Sequence, residues 1–305
     1  MISVEIRRGL AFPIVAVGIT GRVLAEKFAE RAMPLRRILA SGWRRGAHSR
    51  KHMERHVLSL LCDPDTRYPL ELAGNNLRNT ATGRIYPIRD GIPMFVSTVK
   101  GPNLKYQTMY DYIAPGYDLA ERLYHWVARK PNYRQEYLSE LEIKPGDRVL
   151  EVSVGTGANL RFLSEKIDFY GLDLSWGMLR KCQRNLKHWN RNAHLFHGEA
   201  ERLPFKVEAF DCVFHVGGIN FFTDKIRAIK EMIWVAKSGT KIVIVDETAK
   251  TVKENYQRTP VVRNKFEPGS ENVRCPIDLI PEEMKDVSAR EICDGKLYCL
   301  TFRKP

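Results

Sequence analysis

Between residues 148 and 246, short apolar or β-branched runs recur with mostly helical patterns between them. They occupy 148–153, 169–174, 193–197, 210–216 and 241–246. Runs spaced in this way can bury themselves as a parallel sheet with helices on both faces. The C-terminal end breaks the rhythm. Residues 289–293 and 297–302 alternate around Asp294-Gly295, a strong hairpin turn. A parallel sheet closed by an antiparallel hairpin is a narrow class of α/β architecture, and the usual dinucleotide-binding one lies outside it.

The first run leads into Glu151-Val152-Ser153-Val154-Gly155-Thr156-Gly157, a strand opening onto a glycine turn and then a helix. Glycine admits positive φ and lets a ligand approach the backbone. A dinucleotide site wants a third glycine three residues after Gly157, where Leu160 stands. The second run ends in Asp173-Leu174, beside that turn. A carboxylate there can accept hydrogen bonds from two ribose hydroxyls, each contributing roughly 1.5–3 kcal/mol; as an alternative, Asp173 and Ser175 precede a helical stretch they could cap. The third run leads into Glu199-Ala200-Glu201-Arg202-Leu203-Pro204-Phe205. Glu199 is placed to accept from an adenine amino group, with Glu201 read as part of a solvated face.

In this order and at this spacing, the motifs resemble class I S-adenosylmethionine-dependent methyltransferases, most closely the ubiquinone/menaquinone C-methyltransferase branch (methyltransferase type 11). The resemblance implies a Rossmann-like sheet of seven strands closed by the C-terminal hairpin, with S-adenosyl-L-methionine as cofactor. It assigns cofactor contacts to Glu151, Ser153, Gly155, Gly157, Asp173, Leu174, Glu199, Ala200 and His215. Two positions depart from the family pattern. Ser153 replaces the first glycine of the turn, and Glu199 replaces an aspartate.

Methyl transfer requires a general base only where the acceptor is a hydroxyl or an acidic carbon. At the ends of the fourth and fifth runs, which flank the site, His215 is the only histidine and is the catalytic candidate; a buried histidine bonded to a backbone carbonyl is the competing reading. Asp246 and Thr248 also follow strand ends. Tyr117, Asn220 and Glu247 are candidate substrate contacts. Tyr110, Tyr117 and Tyr124 either cover the pocket or serve as core aromatics. Residues 249–281 form a long connection in which Val261, Val262, Phe266, Ile277 and Leu279 could wall an apolar acceptor, while Lys and Arg at 250, 253, 258, 263, 265 and 274 suit an acidic one.

Three segments are expected. Residues 100–305 form the methyltransferase domain. Residues 58–99 form a small β-rich domain, with turns at Gly74-Asn75-Asn76 and Thr82-Gly83. Its Tyr86-Pro87-Ile88-Arg89-Asp90-Gly91-Ile92-Pro93 resembles the zinc-ribbon-type domain that precedes some methyltransferases. Only Cys62 stands where that family has two cysteine pairs, so no metal is predicted there. Residues 1–57 are a basic leader, with twelve Lys and Arg against four acids out of a formal net charge of +13. It reads as a disordered tail, or as an over-long reading frame with the start at Met53, and is only loosely like a signal peptide. Peripheral contact with an anionic membrane through this leader stays open.

Because most of the charge surplus lies in the leader, nucleic acid is the less favoured partner. Six cysteines without a C-x-x-C pair point to reduced thiols in the cytoplasm. The function expected is methylation of a small molecule such as a quinol or another lipophilic metabolite. The alternatives are an RNA methyltransferase and a non-catalytic adenosyl-binding protein. The sequence leaves the oligomeric state undetermined.

Overall fold

The computed structural model describes residues 53–96, 102–118, 133–258 and 273–305. The leader up to residue 52 lies outside these residues, as do Tyr124, Val261, Val262 and Phe266 and the basic positions 263 and 265.

A seven-stranded sheet forms the body. Its strands are β5 (Arg148–Val152), β6 (Asp168–Asp173), β7 (His194–His197), β8 (Cys212–Val216), β9 (Lys241–Glu247), β10 (Lys285–Ile292) and β11 (Leu297–Arg303), in the spatial order β10-β11-β9-β8-β5-β6-β7. Strands β5 to β9 pair in parallel, and β11 runs antiparallel between β9 and β10. The expected α/β sheet with its closing hairpin is therefore present. Chain order reverses between β5 and β8. Ligands of open α/β sheets bind outside the carboxyl ends of the strands at such a reversal.

The helices follow less uniformly. Helix α4 (Trp176–Trp189) buries Met178, Leu179, Cys182 and Leu186 along one stripe. Ser175 caps its start, accepting from the Met178 N–H, and Asn190 ends it in the left-handed conformation. Helix α5 (Lys225–Val235) joins β8 to β9, and α6 (Ala249–Arg258) follows β9. The full helix expected after the glycine turn is absent. Only the 3-10 segment Ala158–Phe162 forms, because Gly157 enters it in the left-handed region and Leu163 leaves it extended. Residues 153–167 link β5 to β6.

Ahead of the body stand α1 (Arg55–Leu60) and a four-stranded antiparallel sheet of β1 (Leu70–Ala73), β2 (Asn76–Asn79), β3 (Ile85–Arg89) and β4 (Ile92–Pro93). Two asparagine/aspartate turns organise it. Asp63 accepts from the N–H groups of Asp65 and Thr66, and Asn79 from those of Ala81 and Thr82. The two side chains join directly, Asn79 Nδ2 donating to Asp63 Oδ2 at 2.7 Å, while the Tyr86 hydroxyl donates to the same oxygen at 2.8 Å. Burial alone would raise the Asp63 carboxyl. Four hydrogen bonds, from Asn79, Thr66, Tyr86 and Asp65, outweigh it and hold the group down at about 2.

This front sheet is not a bead on a string. Met94 bridges to His197 in parallel and the Phe95 N–H donates to the His197 carbonyl, covering the β7 edge of the main sheet. Val57, Leu61, Leu77, Tyr86 and Phe95 belong to the same buried cluster as Leu150, Tyr170, Phe196, Phe205 and Phe210. Within it Phe205 packs edge-on against Phe196 and Phe210, with ring centroids 5.0 and 4.9 Å apart. The Leu-Pro-Phe motif thus acts through the core, and its Pro204 carbonyl accepts from the Cys62 N–H.

Among the described residues no helix is long and apolar enough to cross a membrane. All six cysteines are free.

Candidate active site

A cavity opens at the carboxyl ends of β5, β6, β8 and β9, where the chain order reverses. Helix α2 (Pro102–Ile113) lies across it. Asp111 on α2 accepts from the Gly177 N–H and the Ser175 hydroxyl at the start of α4, and Gln107 donates to the Leu174 carbonyl. Asn103, also on α2, donates to Glu201 and accepts from the Thr223 hydroxyl.

One wall is polar. Glu151, at 1% exposure, projects from the middle of the sheet. Its Oε1 accepts from Asn159 Nδ2 at 2.6 Å, while Oε2 has no partner although it is buried. Arg134 and, from the short helix α3 (Gln135–Leu138), the Tyr137 hydroxyl in turn donate to Asn159 Oδ1, so a relay of side chains fixes the acid. Desolvation pushes the Glu151 carboxyl up to about 8, against the opposing pull of Asn159 and Arg134. An unpartnered polar oxygen in a buried site is costly, and a ligand cation beside it would favour the ionised carboxylate.

Asp173 shares this wall. Its Oδ2 accepts from the Gly155 N–H at 2.7 Å and its Oδ1 from the Ser175 N–H at 2.8 Å. Burial raises it to about 6 despite these two bonds. The acid therefore braces the glycine turn and faces the cavity, and the capping task falls to Ser175. In the turn, Gly155 and Gly157 have φ of +55° and +76°. Any Cβ on Gly157 would lie 2.7 Å from Cys182 Sγ, so this glycine permits packing against α4 and does not itself line the cavity. Ser153 takes a φ of +64°, a left-handed conformation that costs a non-glycine residue roughly 1 kcal/mol or more.

The lining is also aromatic, with Tyr106, Tyr110, Tyr117, Phe221 and Phe222. Tyr106 and Phe221 stack with centroids 4.7 Å apart. Asp246 and Glu247 enter at the end of β9. Asp246 accepts from the N–H groups of Gly218, Asn220 and Glu247, but its burial dominates and lifts it to about 6.

Most of the expected residues meet here: Glu151, Ser153, Gly155, Asp173, Leu174, Ala200, Tyr117 and Glu247 all line the cavity. Others do not. His215 is fully buried, its Nδ1–H bonded to the Val152 carbonyl while Nε2 accepts from the Ile219 N–H. Both ring nitrogens are thus committed to backbone, and burial drives the ring down to about 4. It neither lines the cavity nor can serve as its base. Glu199 is turned away. Arg202 grips it through Nε and Nη2 and also reaches Asp65 in the turn between α1 and β1, leaving Glu201 as the acid that lines the cavity.

Asn220 is likewise structural. Its side chain donates to the Glu247 carbonyl and accepts from the Tyr298 hydroxyl. Ile277 and Leu279 lie off the cavity, so the apolar wall described here comes from α2 and the segment after β8. Sequence reasoning missed Arg134, Tyr137 and Asn159 as a unit. Nothing in their spacing announces it, since Arg134 and Tyr137 precede the first strand of the body.

Residues 149–239 match the family model of a methyltransferase domain. The chain is similar to the demethylmenaquinone methyltransferase of Staphylococcus haemolyticus, 32% identical over 149 residues that cover 48% of this chain and 62% of that protein. The ubiquinone/menaquinone biosynthesis C-methyltransferase of Geotalea daltonii is 27% identical over 159 residues, covering 50% of this chain and 66% of its own length. A solved SAM-dependent methyltransferase from Aquifex aeolicus superposes with a TM-score of 0.41 at 16% identity, covering 55% of this chain and 88% of that one. The chain spans less than two thirds of the length of these two sequence relatives.

Proposed function

We propose that the chain, whose residues 149–239 match the model of a methyltransferase domain, is a class I S-adenosylmethionine-dependent enzyme that methylates a lipophilic small molecule of the quinol type. The observation that carries this reading is a single cavity with a polar wall ending in an unpartnered buried carboxylate oxygen, lined also by aromatic side chains. The polar wall suits a donor with a cationic amino-acid end and an adenosyl end. Glu151 would take the ammonium group, Asp173 the ribose hydroxyls, and Leu174, Ala200 and Glu201 the adenine side. When bound, S-adenosylmethionine supplies an electrophilic methyl group on a sulfonium centre.

The chain's own task is to position the acceptor and to manage a proton. Tyr106, Tyr110, Tyr117, Phe221 and Phe222 suit a planar apolar ring, which they would hold while excluding water. Asp246 is the group we assign as base. It lines the cavity, its position is fixed by three backbone N–H groups, and it is ionised above about pH 6. The relatives whose names specify demethylmenaquinone or ubiquinone/menaquinone chemistry support the acceptor class. A basic leader on the same chain suits access to a membrane-dissolved acceptor. Flotation of the full chain, but not of residues 53–305, with anionic vesicles is the expected result.

Titration with S-adenosylhomocysteine tests the donor site. Asp173→Ala should weaken binding by about tenfold or more, the loss of one charged hydrogen bond. Unchanged affinity would remove Asp173 from the site.

A further inference from the structure

We propose that His56, Asp168 and His194 form a binding site for a divalent transition metal, zinc above all, at the end of the sheet away from the cavity. Asp168 is the first residue of β6 and His194 the first of β7, while His56 lies on α1. Each offers one ligand atom, and the three atoms lie within 4.8 Å of one another.

Both histidines approach the Asp168 carboxylate. His194 Nε2 lies 3.1 Å from Asp168 Oδ1, and His56 Nε2 lies 3.6 Å from Asp168 Oδ2. Ligand atoms about 2.0–2.1 Å from a tetrahedral zinc stand roughly 3.3–3.4 Å apart, so each imidazole nitrogen stands near ligand spacing from the carboxylate, one from each of its oxygens. The first distance alone would also suit a hydrogen bond. The second is too long for one, yet His56 still aims Nε2 at the carboxylate.

Neighbouring groups hold the ligands in this pose. Glu54 Oε2 sits 3.4 Å from His56 Nδ1, the pairing that turns the other ring nitrogen outward as a ligand. The Tyr170 hydroxyl donates to Asp168 Oδ2 at 2.7 Å and fixes the carboxylate plane. Two imidazoles and one carboxylate favour zinc over calcium or magnesium and leave a fourth position for water. Since Asp168 and Asp173 end the same six-residue strand, the metal would lie about 17 Å from the donor wall. Its effect is to tie α1 of the front segment to the starts of two body strands.

The test titrates zinc into the metal-free full chain against a chromophoric chelator, with cobalt as a spectroscopic substitute. One saturable site is expected, with the visible absorption of tetrahedral cobalt. His56→Ala, at a half-exposed position, should weaken zinc binding by about tenfold or more. Zinc should raise the Tm of the wild type and not that of His56→Ala. S-adenosylhomocysteine affinity should be the same with and without zinc. Equal zinc affinity in the two proteins, or no saturable binding at micromolar metal, overturns the site. A donor affinity that follows the metal overturns its placement as a clamp remote from the cavity.

Discussion

Glu151 illustrates how a residue's chemistry is set by what surrounds it. Its carboxyl stands near 8 because burial outweighs Asn159 and Arg134, so the free protein holds it protonated at pH 7. A ligand ammonium would favour the ionised form. Binding of S-adenosylhomocysteine at pH 7 should therefore release close to one proton, and Glu151→Gln should release none. Calorimetry in buffers of different ionisation enthalpy measures the difference. Asp246 makes a second prediction at this scale. With its carboxyl lifted to about 6, the base form accumulates as pH rises, so at saturating donor kcat should climb through pH 6 and then level. Asp246→Asn should lose that limb and about a hundredfold or more in kcat. His215, with both nitrogens bonded to backbone, should contribute no limb.

Among the elements, the front sheet shows side-chain hydrogen bonds holding together two turns that otherwise share little. Asp63 and Asn79 each satisfy two backbone donors and then bond to each other. The Asp63 carboxyl is lower in the folded state than in the unfolded chain. Its contribution is therefore complete above the unfolded value near 3.8 and disappears as pH falls through about 2. Denaturant unfolding measured between pH 5 and pH 2 should show about 2 kcal/mol of acid-sensitive stability that Asp63→Asn lacks. The glycine turn is the contrasting element. Its conformation was legible in Gly155 and Gly157, but the short 3-10 continuation was not, because the extended backbone at Leu163 that ends it has no marker in the sequence.

At the scale of the whole molecule, one hydrophobic cluster runs from Val57 and Leu77 of the front segment into Phe196 and Phe205 of the body. Heating should therefore give a single cooperative transition, detected alike by probes placed in the front sheet and in the body. Phe95→Ala, which empties a buried position beside the β7 edge, should lower both signals together by about 3 kcal/mol. Two separated transitions would show that the front sheet folds on its own.

The sequence by itself determined the strand order along the chain, the closing hairpin and the positions of Glu151, Gly155 and Asp173, because these rest on local periodicity and on residues that only a turn or a strand end can use. Which acid faces the cavity was decided by tertiary structure. Arg202, held by Asp65 of a distant segment, draws Glu199 away and leaves Glu201 to line the wall. The fate of His215 was decided in the same way, by a carbonyl from β5 that took one ring nitrogen and a backbone N–H that took the other. A side chain's availability depends on which partners reach it first in three dimensions, and spacing along the chain carries no record of that competition.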